Sequence, residues 1–160
     1  MRRLGIIGCG ALATEIIKAI SSGKLKNYKV VALLDTKKER SEYLAEILGE
    51  RNLSVDNIDE LLRRKPDIVV EVASPRAVGE YSERILQEGV FLVIMSAGGL
   101  LEDDLLNRLR RITKHTGARL IVPSGAIGGV DIVKALSIIR DKVDVKLITT
   151  KMPQHLKTET

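Results

Sequence analysis

The chain has 160 residues, 44% apolar and 29% charged, a size and balance that suit one folded domain with its own core and exclude a disordered chain. The net charge is +5 but aromatics make up only 2%, and the cations are interleaved with acids, as in Lys37-Lys38-Glu39-Arg40-Ser41-Glu42, so neither a basic patch nor a base-stacking platform points to nucleic acid. No apolar run approaches the ~18 residues of a membrane span, and Gly8-Cys9-Gly10 interrupts the apolar start before it can form a signal-peptide core; a cytoplasmic protein without membrane contact is expected.

Leu4–Gly8 is a short apolar run and predicts a buried strand. Ala11–Ser22 follows with Leu12, Ala13, Ile16, Ile17 and Ile20 at helical spacing, and Ser21-Ser22-Gly23 ends it. Lys29–Asp35 is a second strand. Lys37–Leu48 is a helix with Tyr43, Leu44, Ile47 and Leu48 on its inward face, closed by Gly49. Leu53–Val55 is a short third strand, after which Asp56 caps a helix through Ile58, Leu61 and Leu62 that Pro66 ends. Asp67–Val72 is a strand, and Pro75–Glu88 a helix with Val78, Tyr81, Ile85 and Leu86 inward. Phe91–Met95 is a strand. Glu102–Thr116 is a helix with Leu101, Leu105, Leu109 and Ile112 as its stripe, acids in its first turn and Lys114-His115 in its last, a charge order that suits the helix dipole. Arg119–Val122 (strand), Ala126–Ile139 (helix) and the alternating strand Val143–Thr150 complete the chain. Apolar strands alternating with crossover helices predict an α/β fold: a doubly wound parallel sheet of the Rossmann type. Residues 1–142 are expected to form a dinucleotide-binding domain, and 143–160 to begin a substrate or dimerisation domain.

Gly8-Cys9-Gly10-Ala11-Leu12-Ala13 fits G-x-G-x-x-A at a strand-to-helix junction. Gly8 permits the tight turn, Gly10 lets a pyrophosphate approach the backbone, and Ala13 lets the helix pack on the sheet. The first-turn N–H groups then face the phosphates. Asp35 ends the second strand about 25 residues later, where a carboxylate accepts from the adenosine ribose hydroxyls. That acid favours NAD. Lys37 and Lys38 beside it offset the repulsion of a 2′-phosphate, so NAD and NADP both stay open.

The other strand ends are small and polar: Ala73-Ser74-Pro75, Ser96-Ala97-Gly98-Gly99 and Pro123-Ser124-Gly125-Ala126. Such loops give a ligand close access to the backbone beyond the carboxyl ends of the strands. The lone Cys9 reads as a small buried filler and excludes an internal disulfide or a multi-cysteine metal site. His115 suits a helix C-terminal turn, and His155 sits in a polar tail. Glu71, an acid inside an apolar strand, is placed either against a neighbouring helix or at the ligand cleft. No catalytic constellation and no metal set is read.

The segments Glu71–Val78, Val93–Leu106 and Ile121–Ala135, the last leading to Leu147–Pro153, occur in an order that resembles the L-aspartate dehydrogenase family over nearly the whole chain. The resemblance implies NAD(P)-dependent oxidative deamination of L-aspartate to oxaloacetate through iminoaspartate, a product that can lead towards NAD biosynthesis. It implies that Gly8, Gly10, Ala11 and Leu12 touch the pyrophosphate and that Asp35 holds the adenosine ribose. Ala73, Ser74, Ser96 and Ala97 would line the cofactor path, and Ala126 would lie by the nicotinamide. It also implies a catalytic histidine and a nicotinamide-side asparagine in a later substrate domain; His155 comes too early for that role, so the chain reads as the cofactor half, truncated or split, with L-aspartate as substrate once the other half is supplied. Two other readings stand beside it: a non-catalytic dinucleotide-binding module, and a related dehydrogenase of the homoserine or dihydrodipicolinate type. A homodimer through the alternating last strand is expected, as in the family.

Overall fold

A computed structural model describes residues 1–101, 103–125, 130–139, 142–146, 148 and 150. The chain divides into two compact units, 1–123 and 124–160.

In the first unit six parallel strands form one sheet: β1 (Arg2–Ile7), β2 (Tyr28–Leu34), β3 (Ser54–Val55), β4 (Ile68–Glu71), β5 (Phe91–Ile94) and β6 (Leu120–Ile121). Their order across the sheet is β3-β2-β1-β4-β5-β6. The chain first winds from β1 towards β3, then crosses back so that β4 pairs with the other side of β1. That reversal is the switch point of a doubly wound sheet, and it leaves a crevice beyond the carboxyl ends of β1 and β4. The expected fold class is the observed one.

Two cores explain why both faces are covered. On one face Leu4, Ile6, Val30 and Leu33 pack with Ala13 and Ile17 of α1 (Ala11–Ser21) and Leu44 and Ala45 of α2 (Lys38–Ile47). On the other, Ile7, Leu34, Val69, Leu92 and Ile94 pack with Leu61 of α3 (Ile58–Arg63), with Val78, Ile85 and Leu86 of α4 (Pro75–Gln87), and with Leu105 and Leu109 of α5 (Asp103–Thr116). Each fully buried Leu or Ile contributes roughly 1.5–3 kcal/mol relative to exposure, so the sheet is fixed by these two layers.

Several local expectations change. Tyr43 is exposed, and the inward face of α2 is Ser41, Leu44 and Ala45. The α2 stripe starts two residues earlier because Ser41, although polar, is satisfied internally: its Oγ donates to Lys38 O (2.9 Å) and shares a hydrogen bond with Ser54 Oγ (2.6 Å). The cap of α3 is Asn57, whose Oδ1 accepts from Glu60 N–H (2.9 Å), and not Asp56. Leu101 is exposed, outside the α5 stripe, because a short 3-10 turn over Ala97–Leu100 precedes it. Ser74 caps α4, with Pro75 in its first turn. His115 Nδ1 lies 2.8 Å from Arg111 O in the last turn of α5, as a C-terminal capping role requires.

In the second unit α6 spans Val130–Ile139 and exposes Ile132, Ile138 and Ile139. The helix was expected from Ala126, but residues 126–129 lie outside the described ones. The alternating segment forms no strand over its described residues 143–146, 148 and 150, and Val145 and Ile148 are exposed. Alternation makes a strand only where a neighbour satisfies its backbone groups.

Candidate functional site

The crevice begins at the turn after β1. Gly8 holds φ +92°, a region that excludes most side chains, and its N–H donates to Leu34 O (2.8 Å), extending the β1–β2 pairing by one step. A Cβ added there would stand 2.7 Å from the Ala73 backbone. The turn and the β4–α4 loop are therefore in direct contact, and only glycine allows it. Gly10 differs: its φ is −85° and a Cβ would meet nothing within 4 Å. The space over Gly10 is open, and the first turn of α1 carries no acid.

Asp35 closes the other side of the turn. Its Oδ2 accepts from Cys9 N–H (2.6 Å) and its Oδ1 from Lys37 N–H (2.8 Å). The carboxylate thus ties the ends of β1 and β2 together. Cys9 is buried, and that burial, reinforced by Asp35 and opposed by Arg40, pushes its thiol up to about 12. It is an inert filler, as its position in the sequence suggests.

Glu71 does the same work one strand over. It is 2% exposed, yet every oxygen has donors: Oε1 accepts from Ala73 N–H (2.8 Å), Ser74 N–H (2.9 Å) and Ser96 Oγ–H (2.9 Å), and Oε2 from Ser96 N–H (3.2 Å). A buried carboxylate is tolerated only with such partners. Neither a helix nor the cleft receives it; it fastens the loop after β4 to the loop after β5.

A cleft of about 440 Å³ lies over these loops. Gly8, Gly10, Asp35, Ala73 and Ser74 line it, which brings together five of the ten residues read from the sequence. Ala11 and Leu12 are exposed at the start of α1 beside it. Ser96 is half-buried on Glu71, and Ala97 is exposed in the following turn; neither lines the cleft. Ala126 lies outside the described residues.

The cleft also has walls that the sequence reading missed. Thr36 and Arg40 come from the β2–α2 side, Asp56 from the end of β3, and Arg76, Glu80 and Tyr81 from α4. Partial burial and the neighbouring Glu80 carboxylate push the Tyr81 phenol up, with Arg76 opposing. Asp56 was detectable by the same rule that found Asp35, since it follows a strand directly. Arg40 was hidden in a mixed-charge helix.

A dinucleotide fits what is built here. The open backbone at Gly10 and the acid-free helix start suit a pyrophosphate. The Asp35 carboxylate has lone pairs left after two N–H bonds, enough to accept from ribose hydroxyls. Among the described residues no helix is long and apolar enough to cross a membrane.

Comparison with known proteins gives three findings. Residues 8–123 match the family described as "Homoserine dehydrogenase, NAD binding domain". The chain is 39% identical over 151 residues to L-aspartate dehydrogenase of Methanocaldococcus jannaschii, covering 94% of this chain and 55% of that one, and 37% identical over 158 residues to L-aspartate dehydrogenase of Methanococcus maripaludis, covering 99% and 58%. The crystal structure of aspartate dehydrogenase from Thermotoga maritima is similar with a TM-score of 0.65 at 28% identity, over 86% of this chain and 52% of that one. The chain spans just over half the length of the curated relatives it matches.

Proposed function

This chain belongs to the family described as homoserine dehydrogenase, NAD binding domain, and from that premise we propose that it is the cofactor-binding part of an NAD(P)-dependent L-aspartate dehydrogenase. The observation that carries the cofactor reading is the open Gly10 backbone beside the Asp35 carboxylate in one cleft. What carries the substrate reading is the extent of the likeness to relatives named L-aspartate dehydrogenase, which runs past residue 123, where the family match ends, to nearly the whole chain. That breadth favours aspartate over the homoserine-type alternative.

In this reading the first-turn N–H groups of α1, with Gly8, Gly10, Ala11 and Leu12 around them, hold the pyrophosphate. Asp35 accepts from the adenosine ribose. Ala73 and Ser74, fastened by Glu71, form the floor of the path, and Ser96 and Ala97 continue it towards the nicotinamide. Bound nicotinamide supplies the hydride-accepting carbon. The protein's part is to orient it and to keep the path free of side chains that would displace it. Residues 1–142 serve this purpose and 143–160 begin the substrate or dimerisation domain; the protein works in the cytoplasm, as a homodimer. The exposed Ile132, Ile138, Ile139, Val145 and Ile148 support self-association through the second unit, and light scattering that returned a monomer would refute that part.

Isothermal titration of the 160-residue chain with NADH and NADPH tests the central claim. Saturable binding of at least one is expected, with negligible turnover of L-aspartate by these residues alone. Absence of binding by folded protein would sink the reading, whereas binding with robust turnover would sink only the division of labour. A non-catalytic nucleotide module predicts the same binding; it is distinguished by showing no L-aspartate turnover when the substrate-domain part of a relative is supplied in trans.

A further inference from the structure

We propose that Asp56 is a specificity-determining residue: it engages the Lys38 ammonium that would otherwise be free to meet a 2′-phosphate, and so sets the site to prefer NAD(H) over NADP(H). The inference rests on the dinucleotide reading above.

The two nucleotides differ by a 2′-phosphate, which carries up to two negative charges where the other has a hydroxyl. Two carboxylates line the cleft at neighbouring strand ends, Asp35 after β2 and Asp56 after β3. Three cations lie near them at the start of α2: Lys37, Lys38 and Arg40. The charge balance of this corner decides which nucleotide it accepts.

Lys38 is already paired. Its Nζ lies 2.6 Å from Asp56 Oδ1, and the carboxylate holds the ammonium above its ordinary range. Both ends of the pair are anchored. The fully buried Ser41 takes Lys38 O as acceptor and bonds Ser54 Oγ, which joins the first turn of α2 to β3, two residues before Asp56. Asp56 N–H donates to Glu60 Oε2 (3.0 Å), and Asn57 caps the same turn. Lys38 and Asp56 are thus brought together by the backbone.

Both side chains remain some 60% exposed, so the pair by itself is worth at most about fivefold in an equilibrium. Removing the Asp56 charge has a second consequence, because that carboxylate also faces any phosphate in the cleft. Together, a freed cation and a lost anion should move the NADPH-to-NADH affinity ratio by about tenfold.

The test is a set of fluorescence titrations of the 160-residue chain with NADH and with NADPH, on wild type, Asp56→Asn, Lys38→Ala and the double variant, with circular dichroism confirming the fold of each. The wild type should bind NADH more tightly. Asp56→Asn should raise the NADPH-to-NADH affinity ratio about tenfold, and adding Lys38→Ala should remove most of that gain. Lys38→Ala alone should not raise the ratio. An unchanged ratio in Asp56→Asn, a gain left undiminished by removal of Lys38, or a wild type that already favours NADPH overturns the proposal. Folded wild type that binds neither nucleotide defeats the dinucleotide reading itself, a result separate from binding with an unaltered ratio.

Discussion

Gly8 and Gly10 stand two residues apart in one motif, but the structure gives them different duties, and alanine at each separates the two. At Gly8 the added methyl meets backbone: it would stand 2.7 Å from Ala73 N, Cα and Cβ, at a φ of +92°. Strained backbone of this kind costs about 1–3 kcal/mol, and overpacking against atoms that cannot turn aside costs about 1–3 kcal/mol more. Gly8→Ala should therefore lose about 2–6 kcal/mol, a large share of a stability typically about 5–15 kcal/mol. At Gly10 the φ of −85° and ψ of −159° suit any residue and nothing lies within 4 Å. Gly10→Ala should keep its stability within about 0.5 kcal/mol. Its methyl would instead enter the space left for the pyrophosphate, where about 1–3 kcal/mol of steric cost weakens NADH roughly 5- to 150-fold. Urea denaturation gives the first quantity and NADH fluorescence titration the second. Gly8→Ala as stable as wild type would show that the Ala73 contact relaxes freely. Gly10→Ala binding NADH normally would show that the open space is not where the phosphates go, and the reasoning for the whole cleft would fail with it.

Glu71→Ala should cost about 1–3 kcal/mol by leaving four donors of the half-buried loops without their acceptor, and Glu71→Gln less, since one oxygen remains; equal denaturation midpoints for Glu71→Ala and wild type would contradict the network. Leu109→Ala, at a fully buried site where α5 meets the sheet, should lose about 2–5 kcal/mol in the same assay, and a loss under 1 kcal/mol would mean that α5 is not seated. The Cys9 thiol, raised to about 12 by burial, stays protonated in the folded chain when an unfolded thiol has ionised. Stability from this group is therefore full below an ordinary thiol pKa of about 8.5 and declines as pH rises from there towards 12, whereas Cys9→Ala should lack that alkaline slope; a wild-type thiol that reacts with a disulfide reagent at pH 8 as fast as free cysteine would refute the burial argument.

Element type was legible in the sequence wherever periodicity and punctuation agreed. Gly8, Gly23, Gly49 and Gly89 mark real breaks, and all four hold positive φ. What was not legible depends on partners distant in sequence. Ser41 looks like a solvent residue until Ser54 is seen beside it. Tyr43 looks inward by spacing, but Ser41, Leu44 and Ala45 take the inward face of α2, and it stays exposed. In the site, Gly8, Gly10 and Asp35 could be found because their duties belong to the backbone turn and recur with it. Asp56 could have been found by the same strand-end rule, but Arg40 and Tyr81 line the cleft only because α2 and α4 pack beside it, and no spacing rule encodes that arrival. Glu71 could be flagged as odd; its four donors come from two loops, and only the packed strand ends show them together.

The two carboxylates of the sheet edge suggest how the cleft is kept open. Loops at strand ends have backbone N–H groups that the sheet no longer satisfies. Here Asp35 takes those of Cys9 and Lys37, and Glu71 takes those of Ala73, Ser74 and Ser96. Five loop amides are thereby fixed by side chains from the strands themselves, and no bulky residue has to fill the crevice to hold it. One consequence concerns the phosphates. The Cys9 amide, in the middle of the glycine turn, is already committed to Asp35 at 2.6 Å. A pyrophosphate seated over Gly10 must then draw its hydrogen bonds from the first turn of α1, where no acid competes. Replacing Asp35 by Asn would put an amide where the Cys9 N–H now finds a carboxylate, and the turn should loosen together with the ribose contact. The loss of NADH affinity in Asp35→Asn should accordingly be accompanied by lower thermal stability in the absence of nucleotide. A variant that lost binding but melted at the wild-type temperature would show that Asp35 serves the ligand alone.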